Sequence, residues 1–388
     1  MTATPHVSPR SRALSATELD QFGAELDALR LRTLADLGAD DARYIRSILA
    51  AVRWTGLLGR LVLMIGAIAG STVAPAMLWP LCISGTLILA LSKILENMEL
   101  GHNVMHGQYD WMGDPHLQGQ TYEWDIAGTS DNWRQTHNHH HHTWTNVRGM
   151  DADIGYGLLR LFPEQRWTPY YLIQPVVAVI FAALFEWGIA LQNVRIGRWF
   201  KGRISALQLW QVFRPVGRKM GKQALRDYVF FPLLAGPFFL PVLLGNVVAN
   251  ILRNLWTYTV IFCGHFTADA ETFSRESVRG ESRGAWYRRQ LLGSSNIRGS
   301  RWLDLLTGNL SHQIEHHLFP DMPANRYEQV APQIRALSAE YGVNYNEANF
   351  MKQFGTVWVA LAKCSLPNDM SAQLAQGWTN LKARFKFA

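Results

Sequence analysis

The stretch Thr136-His-Asn-His-His-His-His-Thr-Trp-Thr-Asn146 holds five of the chain's thirteen histidines and is followed by Asp151 and Asp153. A run this polar cannot be an ordinary core segment, and imidazole beside carboxylate is a transition-metal donor set. Two further clusters accompany it, Gly101-His-Asn-Val-Met-His106 upstream and Ser311-His-Gln-Ile-Glu-His-His317 far downstream. Long apolar segments separate the three. They can share one site if membrane-spanning helices and their extensions bring them together.

Those apolar segments carry the fold prediction. Residues 57–74 are broken only by small residues and Arg60, and residues 75–95 follow with Lys93 near the end. Each can cross a hydrocarbon core of about 30 Å, so they predict a transmembrane hairpin, with a pair of buried soluble helices as the alternative. The second span is expected to continue past the lipid through Glu96, Glu99, His102 and His106. Residues 229–262 predict a second hairpin, interrupted by Pro232, Pro237, Pro241 and Gly245. Two crossings in so short a run are tight, so at least one must extend beyond it. An even number of crossings returns His265 and the 312–317 cluster to the side of His102. Residues 174–192 are apolar apart from Glu186 and precede Arg195, Arg198, Lys201, Arg203, Arg214, Arg218, Lys219 and Lys222. A basic loop of this kind belongs on the cytoplasmic side. Segment 174–192 is therefore expected to be interfacial or partly inserted.

The predicted fold is all-α and integral to the membrane: two helical hairpins and a cytoplasmic helical cap that holds the histidines. Residues 1–14 read as a disordered tail without a secretory apolar region, 15–56 as N-terminal cytoplasmic helices, 57–366 as the membrane domain and 367–388 as a tail. Ser15-Ala-Thr-Glu18 has the form of a capping box, and Leu19, Phe22, Leu26 and Leu29 follow at helical spacing toward Gly38. That helix either packs on protein or lies on the bilayer. Residues 41–52 form a second short helix, 275–299 a polar loop with Trp286 and Tyr287 as anchors, 302–310 a short helix and 325–341 a cytoplasmic helix. Three scattered cysteines exclude a disulfide scaffold or thiolate site. A net charge of +7 without a recognisable nucleic-acid motif points to anionic headgroups or phosphorylated and CoA-linked ligands, and no nucleic-acid partner.

His102 and His106 stand i,i+4, as do His137 and His141, and His312 and His316, so each pair falls on one helical face. With His142, His265 and His317 the chain offers nine candidate imidazoles. That exceeds the four ligands of zinc and fits two octahedral metals with open positions. The His-Glu-x-x-His of a zinc protease is missing, as is the reciprocal Glu-x-x-His set of soluble di-iron bundles. Iron suits oxygen activation, and the apolar surroundings suggest a lipid substrate.

Glu96-Asn-Met-Glu-Leu-Gly-His102-Asn-Val-Met-His106, Thr136-His-Asn, His141-His-Thr-Trp-Thr-Asn146, Asn250-Ile-Leu-Arg-Asn254, Val260-Ile-Phe-Cys-Gly-His-Phe266 and His312-Gln-Ile-Glu-His-His-Leu-Phe-Pro320 resemble the membrane fatty-acid desaturases, most closely the bacterial, mycobacterial-type stearoyl-CoA 9-desaturases. The resemblance spans most of residues 40–366. It implies an enzyme with two histidine-held iron ions and O2 as co-substrate. The expected reaction places a cis double bond, at carbon 9, in a saturated long-chain acyl-CoA. Electrons would come from an external donor, a ferredoxin-type or flavoprotein reductase system. By the same resemblance His102 and His106 match the first box, His137, His141 and His142 the second, and His316 and His317 the third, while His265 matches the histidine after the last span. The family's third box usually has histidine three positions before its terminal pair. Here Gln313 stands there and His312 one residue earlier. His137, His140 and His141 are an alternative choice within the second run, where His139 and His140 are otherwise supernumerary; His6 and His116 read as solvated.

Glu99, Asp151, Gln313 and Glu315 are candidate partners that orient the ligand imidazoles. Arg195, Arg198, Lys201 and Arg298 are candidate contacts for a CoA phosphate. The expected location is the cell inner membrane, multi-pass, with the histidines facing the cytoplasm and membrane lipid as surroundings. Alternatives are an acyl-lipid or front-end desaturase, a membrane di-iron lipid hydroxylase, and a histidine-rich metal-binding or transport protein. Front-end relatives commonly carry a fused His-Pro-Gly-Gly haem module, which this sequence lacks. A transporter would place polar ligands within the spans rather than at their ends.

Overall fold

The computed structural model describes residues 11–192, 194, 196–371 and 373. It is helical throughout, apart from one parallel pair of three-residue strands, β1 (Asn296–Arg298) and β2 (Glu347–Asn349). Helix α1 (Ala16–Ala35) begins with the predicted capping box, Ser15 Oγ accepting from Glu18 N and Glu18 accepting from Ser15 N. Its apolar face meets protein. Phe22, Leu26 and Leu29 join Tyr287, Leu291, Ile314, Leu318, Tyr327 and Ile334 in one buried cluster.

Helix α2 (Ala39–Thr72) is one continuous rod, and this corrects the separation of a 41–52 helix from a 57–74 span. The linking residues Arg53-Trp-Thr-Gly56 contain no proline, so the backbone ladder runs through them and the expected boundary at residue 56 falls inside a helix. At 1.5 Å per residue the rod is about 50 Å long, well beyond the hydrocarbon thickness, so one end stands outside the lipid. Helix α3 (Leu78–Leu95) returns alongside it. The two pack at glycine distance: a Cβ on Gly59 would lie 2.6 Å from Leu89 N, and one on Gly85 2.4 Å from Leu63 N. Small residues give this close approach where water supplies no driving force.

Three described helices are long and apolar enough to cross a membrane, Ala39–Thr72, Pro75–Met105 and Gly236–His265. The expected pair of crossings in residues 229–262 is corrected in part, because only the last of these spans falls in that run. Its predecessor, α6 (Ala206–Leu225), is a helix where a basic loop was expected, and it begins with its own capping box at Ser205. It continues through a π turn and Phe231–Leu233 to a reversal at Gly236, φ +54°. Helix α7 (Phe239–His265) then descends beside α3. Between α3 and α6, α4 (Gln174–Ala183) and α5 (Phe185–Gln192) meet at a 97° bend. Glu186 lies just after the bend and is ion-paired with Arg253 on α7 in a buried setting.

The expected polar loop at 275–299 contains α8 (Arg283–Leu292), capped by Ser282. It is followed by α9 (Arg301–Thr307), α10 (Gln313–Leu318), α11 (Tyr327–Glu340) and α12 (Phe350–Ser365). In α12, Val357 and Leu361 pack with Phe181 of α4 and Phe262 of α7. His6 and most of the tail 367–388 lie outside the described residues, as does Arg195; nothing is assigned to the Arg198 side chain.

Candidate metal centre

The spans end in the histidines. After Leu95 the second span passes into a π turn, Glu96–His102, and the central run occupies another, Arg134–His141. One extra residue per turn rotates the following side chains relative to an α-helix, and such turns are frequent at functional sites. Here they aim His102, His106, His137, His141 and His142 at the same volume. His265 reaches it from the last turn of α7, and His316 and His317 from α10.

Four groups of nitrogen or carboxylate donors lie within 4.8 Å of one another: His102 with His106, His137 and His316; His141 with His265 and His317; His142 with His316 and His317; and His137 with His141 and Asp153. Two main sets emerge, with His142 between them. The His142 and His317 rings stack at 4.4 Å, and those of His142 and His316 are 4.7 Å apart. His106 Nε2, His137 Nε2, His316 Nε2 and both nitrogens of His142 are buried without a hydrogen-bond partner. His265 Nε2 lies 3.1 Å from His317 Nε2. Buried nitrogens do not normally stay orphaned or face each other, and a bound cation satisfies both arrangements.

The outer nitrogens are held. His141 Nδ1 is 3.0 Å from Asp151 Oδ2, His316 Nδ1 3.2 Å from Tyr327 OH, His317 Nδ1 3.0 Å from Gln290 Oε1 and His102 Nδ1 3.0 Å from Asn103 Oδ1. Such partners fix ring orientation and tautomer, leaving Nε2 for a metal. Burial, followed by neighbouring imidazoles, drives His106, His137, His142, His316 and His317 well below the usual histidine range, so they are neutral ligands at pH 7. His141 is the exception: burial opposes its cation, but Asp151 prevails and raises it.

Of the nine predicted ligands the structure gathers eight. The expected His312–His316 helical pair does not form. Asn309 takes a left-handed conformation at φ +57° and a 3-10 turn covers Leu310–His312, so His312 precedes α10 and points elsewhere, 3.8 Å from Glu315. Gln313 takes the inner position instead, Nε2 lying 3.0 Å from His265 Nε2 and Oε1 buried without a partner. Rotation of the amide brings Oε1 to the histidine side. His139 is exposed, and His139 and His140 join none of the groups. Asp151 lies against His141 Nδ1. Glu99 instead bonds Tyr44 and Asn309, and Glu315 bonds Asn296 and Tyr345.

Tyr327, Gln290 and Asn103 escaped the sequence reading because no histidine spacing marks them. Asn146 did as well, although it closes the quoted stretch. It sits at φ +56° and donates from Nδ2 toward the carbonyls of His265, Glu271 and Gly293, tying the second box to the third region.

Beside the histidines lies a mostly apolar cavity, lined by His102, His137, His141 and His265 and by Trp124, Trp133, Tyr156, Phe185, Ile189, Ile261, Phe266 and Leu310 among others. An apolar slot beside a cluster of neutral imidazoles is suited to holding a hydrocarbon against a metal.

With this geometry in place, sequence comparison identifies its lineage. Residues 77–349 match the fatty acid desaturase family. The chain belongs to that family. Over 359 residues it is 45% identical to the NADPH-dependent stearoyl-CoA 9-desaturase of Mycobacterium tuberculosis, covering 92% of this chain and 82% of the relative. It is 28% identical over 280 residues to the sn-1 linoleoyl-lipid 6-desaturase of a Synechocystis species, covering 69% and 76% of the two chains. It is also 26% identical over 304 residues to fatty acid desaturase 3 of Bos taurus, covering 70% and 61%. The protein is thus a multi-pass membrane desaturase, and its histidine groups fit a di-iron cofactor.

Proposed function

We propose that this desaturase introduces a cis double bond at carbon 9 of a saturated long-chain acyl-CoA, with O2 as co-substrate. The observation that carries the reading is the apolar cavity ending on the histidine groups, joined to 45% identity with a stearoyl-CoA 9-desaturase. Bound iron would supply the O2-dependent oxidation that no side-chain base can perform on an unactivated methylene. His102, His106, His137 and His316 would hold one ion and His141, His265 and His317 the other, with His142 between them and Gln313 completing the second position.

The chain's own residues do the positioning. Neighbouring methylenes have nearly equal reactivity, so regiochemistry must come from where the cavity stops the chain. Toward the membrane the cavity reaches Asn97 and Thr257, whose side chains are hydrogen-bonded at 2.8 Å. It also shares Tyr156 and Gln192 with a more open pocket lined by Arg148 and Gln165. That layout suits an acyl tail inside and a polar CoA outside. Arg298 is largely exposed beside Glu347 and would at most graze such a headgroup.

The hairpin topology is part of the proposal. Helix α6 with its continuation to Leu233 forms the rising arm of a short second hairpin and α7 the falling arm. Ala235 and Val242 cluster with Leu63, Ala67 and Cys82, so the second reversal packs against the first hairpin short of its tip. The bent α4–α5 pair lies in the interface, and all histidines face the cytoplasm of the inner membrane. Residues 39–366 act as one desaturase unit, with α1 docked on its cap. Electrons arrive from NADPH through a separate reductase or ferredoxin-type partner.

Mass spectrometry of the products formed from stearoyl-CoA by iron-loaded protein with O2 and a reducing system tests the reading. Oleoyl-CoA is expected. A hydroxylated product, or reaction only on lipid-linked chains, would replace it.

A further inference from the structure

Helix α2 carries a cation that the desaturase reaction does not use. Trp54 is exposed and marks the interface end of the lipid-facing surface, while Arg60 lies about 9 Å further along the rod. An arginine at that depth needs a reason. Its Nη1 bonds Gly56 O at 3.0 Å and its guanidinium lies over the Phe231 ring at 4.6 Å, but it is ion-paired to nothing among the described residues. Its Nε is buried and unpartnered.

Arg60 lines a pocket between α2, α3 and the segment around Asp125, together with Arg53, Lys93, Arg226 and Glu96. Lys93 and Arg226 are already committed, to Asp227 at 2.7 and 2.8 Å, and Arg226 also to Asp125 at 2.6 Å. Arg53 and Arg60 remain without a carboxylate among the described residues. Arg226 Nη2 and Glu96 Oε2 are buried and unpartnered in the same wall, which leaves two kinds of guanidinium donor and one acceptor.

We infer that this pocket binds the headgroup of an anionic glycerophospholipid, its phosphodiester meeting Arg53 and Arg60 and a headgroup hydroxyl donating to Glu96. The site lies just inside the interface that Trp54 marks and beside lipid-facing helices, where basic pockets between spans take anionic heads. It also touches the catalytic scaffold. Asp125 N donates to Glu96 Oε1 at 2.8 Å, Glu96 begins the π turn that carries His102, and the adjacent Trp124 lines the acyl cavity. The bound headgroup thereby braces the wall of the cavity against the first span.

The test is native mass spectrometry of the full-length, iron-loaded protein titrated with phosphatidylglycerol or phosphatidylcholine. Free CoA is the competitor, because its phosphates share the chemistry. One tightly retained phosphatidylglycerol is expected, preferred over phosphatidylcholine by about thirty-fold, the size two interfacial cations supply. The preference should vanish in Arg53→Gln/Arg60→Gln and persist in Arg43→Gln, which removes an exposed charge of the same helix. Equal retention of the two lipids by the wild-type protein would overturn the proposal without any variant. Displacement of phosphatidylglycerol by CoA, or loss of preference in Arg43→Gln, would overturn it as well.

Discussion

Each imidazole in the centre has one nitrogen turned toward the shared volume and, in most cases, the other tied to a named partner, and the two ends can be tested separately. Replacing His141 or His317 by alanine is expected to abolish iron retention and turnover while leaving membrane insertion intact; His139→Ala and His312→Ala should keep both. Iron per chain by elemental analysis decides, and a His312→Ala protein without iron would return that residue to the ligand set. Tyr327→Phe removes only the hydroxyl beside His316 Nδ1. It should weaken iron binding about 10- to 100-fold in chelator competition, the usual effect of losing an orienting partner. At the membrane end of the cavity, Thr257→Trp should shift preference from stearoyl-CoA toward myristoyl-CoA, and an unchanged ratio in a competition assay would move the stop elsewhere. The histidine clusters were legible because imidazole is scarce and its spacing is regular. Tyr327 and Gln290 were not, since their contacts with His316 and His317 span 11 and 27 residues of chain, well beyond any helical spacing.

The elements behaved as their local sequence allowed. Apolar length announced the first hairpin, and the capping box announced the start of α1. The merger of two expected helices into α2 was hidden because the polar Arg53–Thr55 stretch looks like a break, while nothing in it stops a backbone ladder. In the same way α6 was hidden by its positive charge, which argues for a side of the membrane and says nothing about conformation. The π turns have no sequence signature at all. The i,i+4 pair His137 and His141 lies within the wider turn, whereas His106 N bonds His102 O in an ordinary α turn just after the first π turn. The glycine contact between α2 and α3 makes a sharp prediction. Gly85→Leu drives a side chain into the Leu63 backbone and should cost about 1–3 kcal/mol or more in denaturant unfolding of the detergent-solubilised protein. A neutral result would mean that the two helices can part.

Across the whole molecule, charges buried at the inner end of the spans tie together α3, α6 and α7. Lys93 and Asp227 are both almost fully buried. Asp227→Asn strands the Lys93 cation and should cost about 3–5 kcal/mol, read as a depressed melting temperature in detergent. Removing the exposed Arg43–Asp40 pair should cost no more than about 1 kcal/mol. Equal shifts would show that the buried network is solvated in practice. The packing of Ala235 against Leu63 and Cys82 was not legible, because no local pattern marks a contact across so much chain.

Docking of α1 on the cap has a consequence for how the protein is made. Phe22, Leu26 and Leu29 leave the ribosome before every span, yet their partners, from Tyr287 to Ile334, are translated after all of them. Throughout synthesis the opening helix therefore waits with its greasy side bare, while the first two histidine boxes emerge and remain half a centre. His316 and His317 arrive only with the segment that also covers α1. Closure of the N-terminal helix and completion of the iron site are consequently a single late event, and a nascent chain halted before residue 316 would be both unable to hold its metals and a client for chaperones.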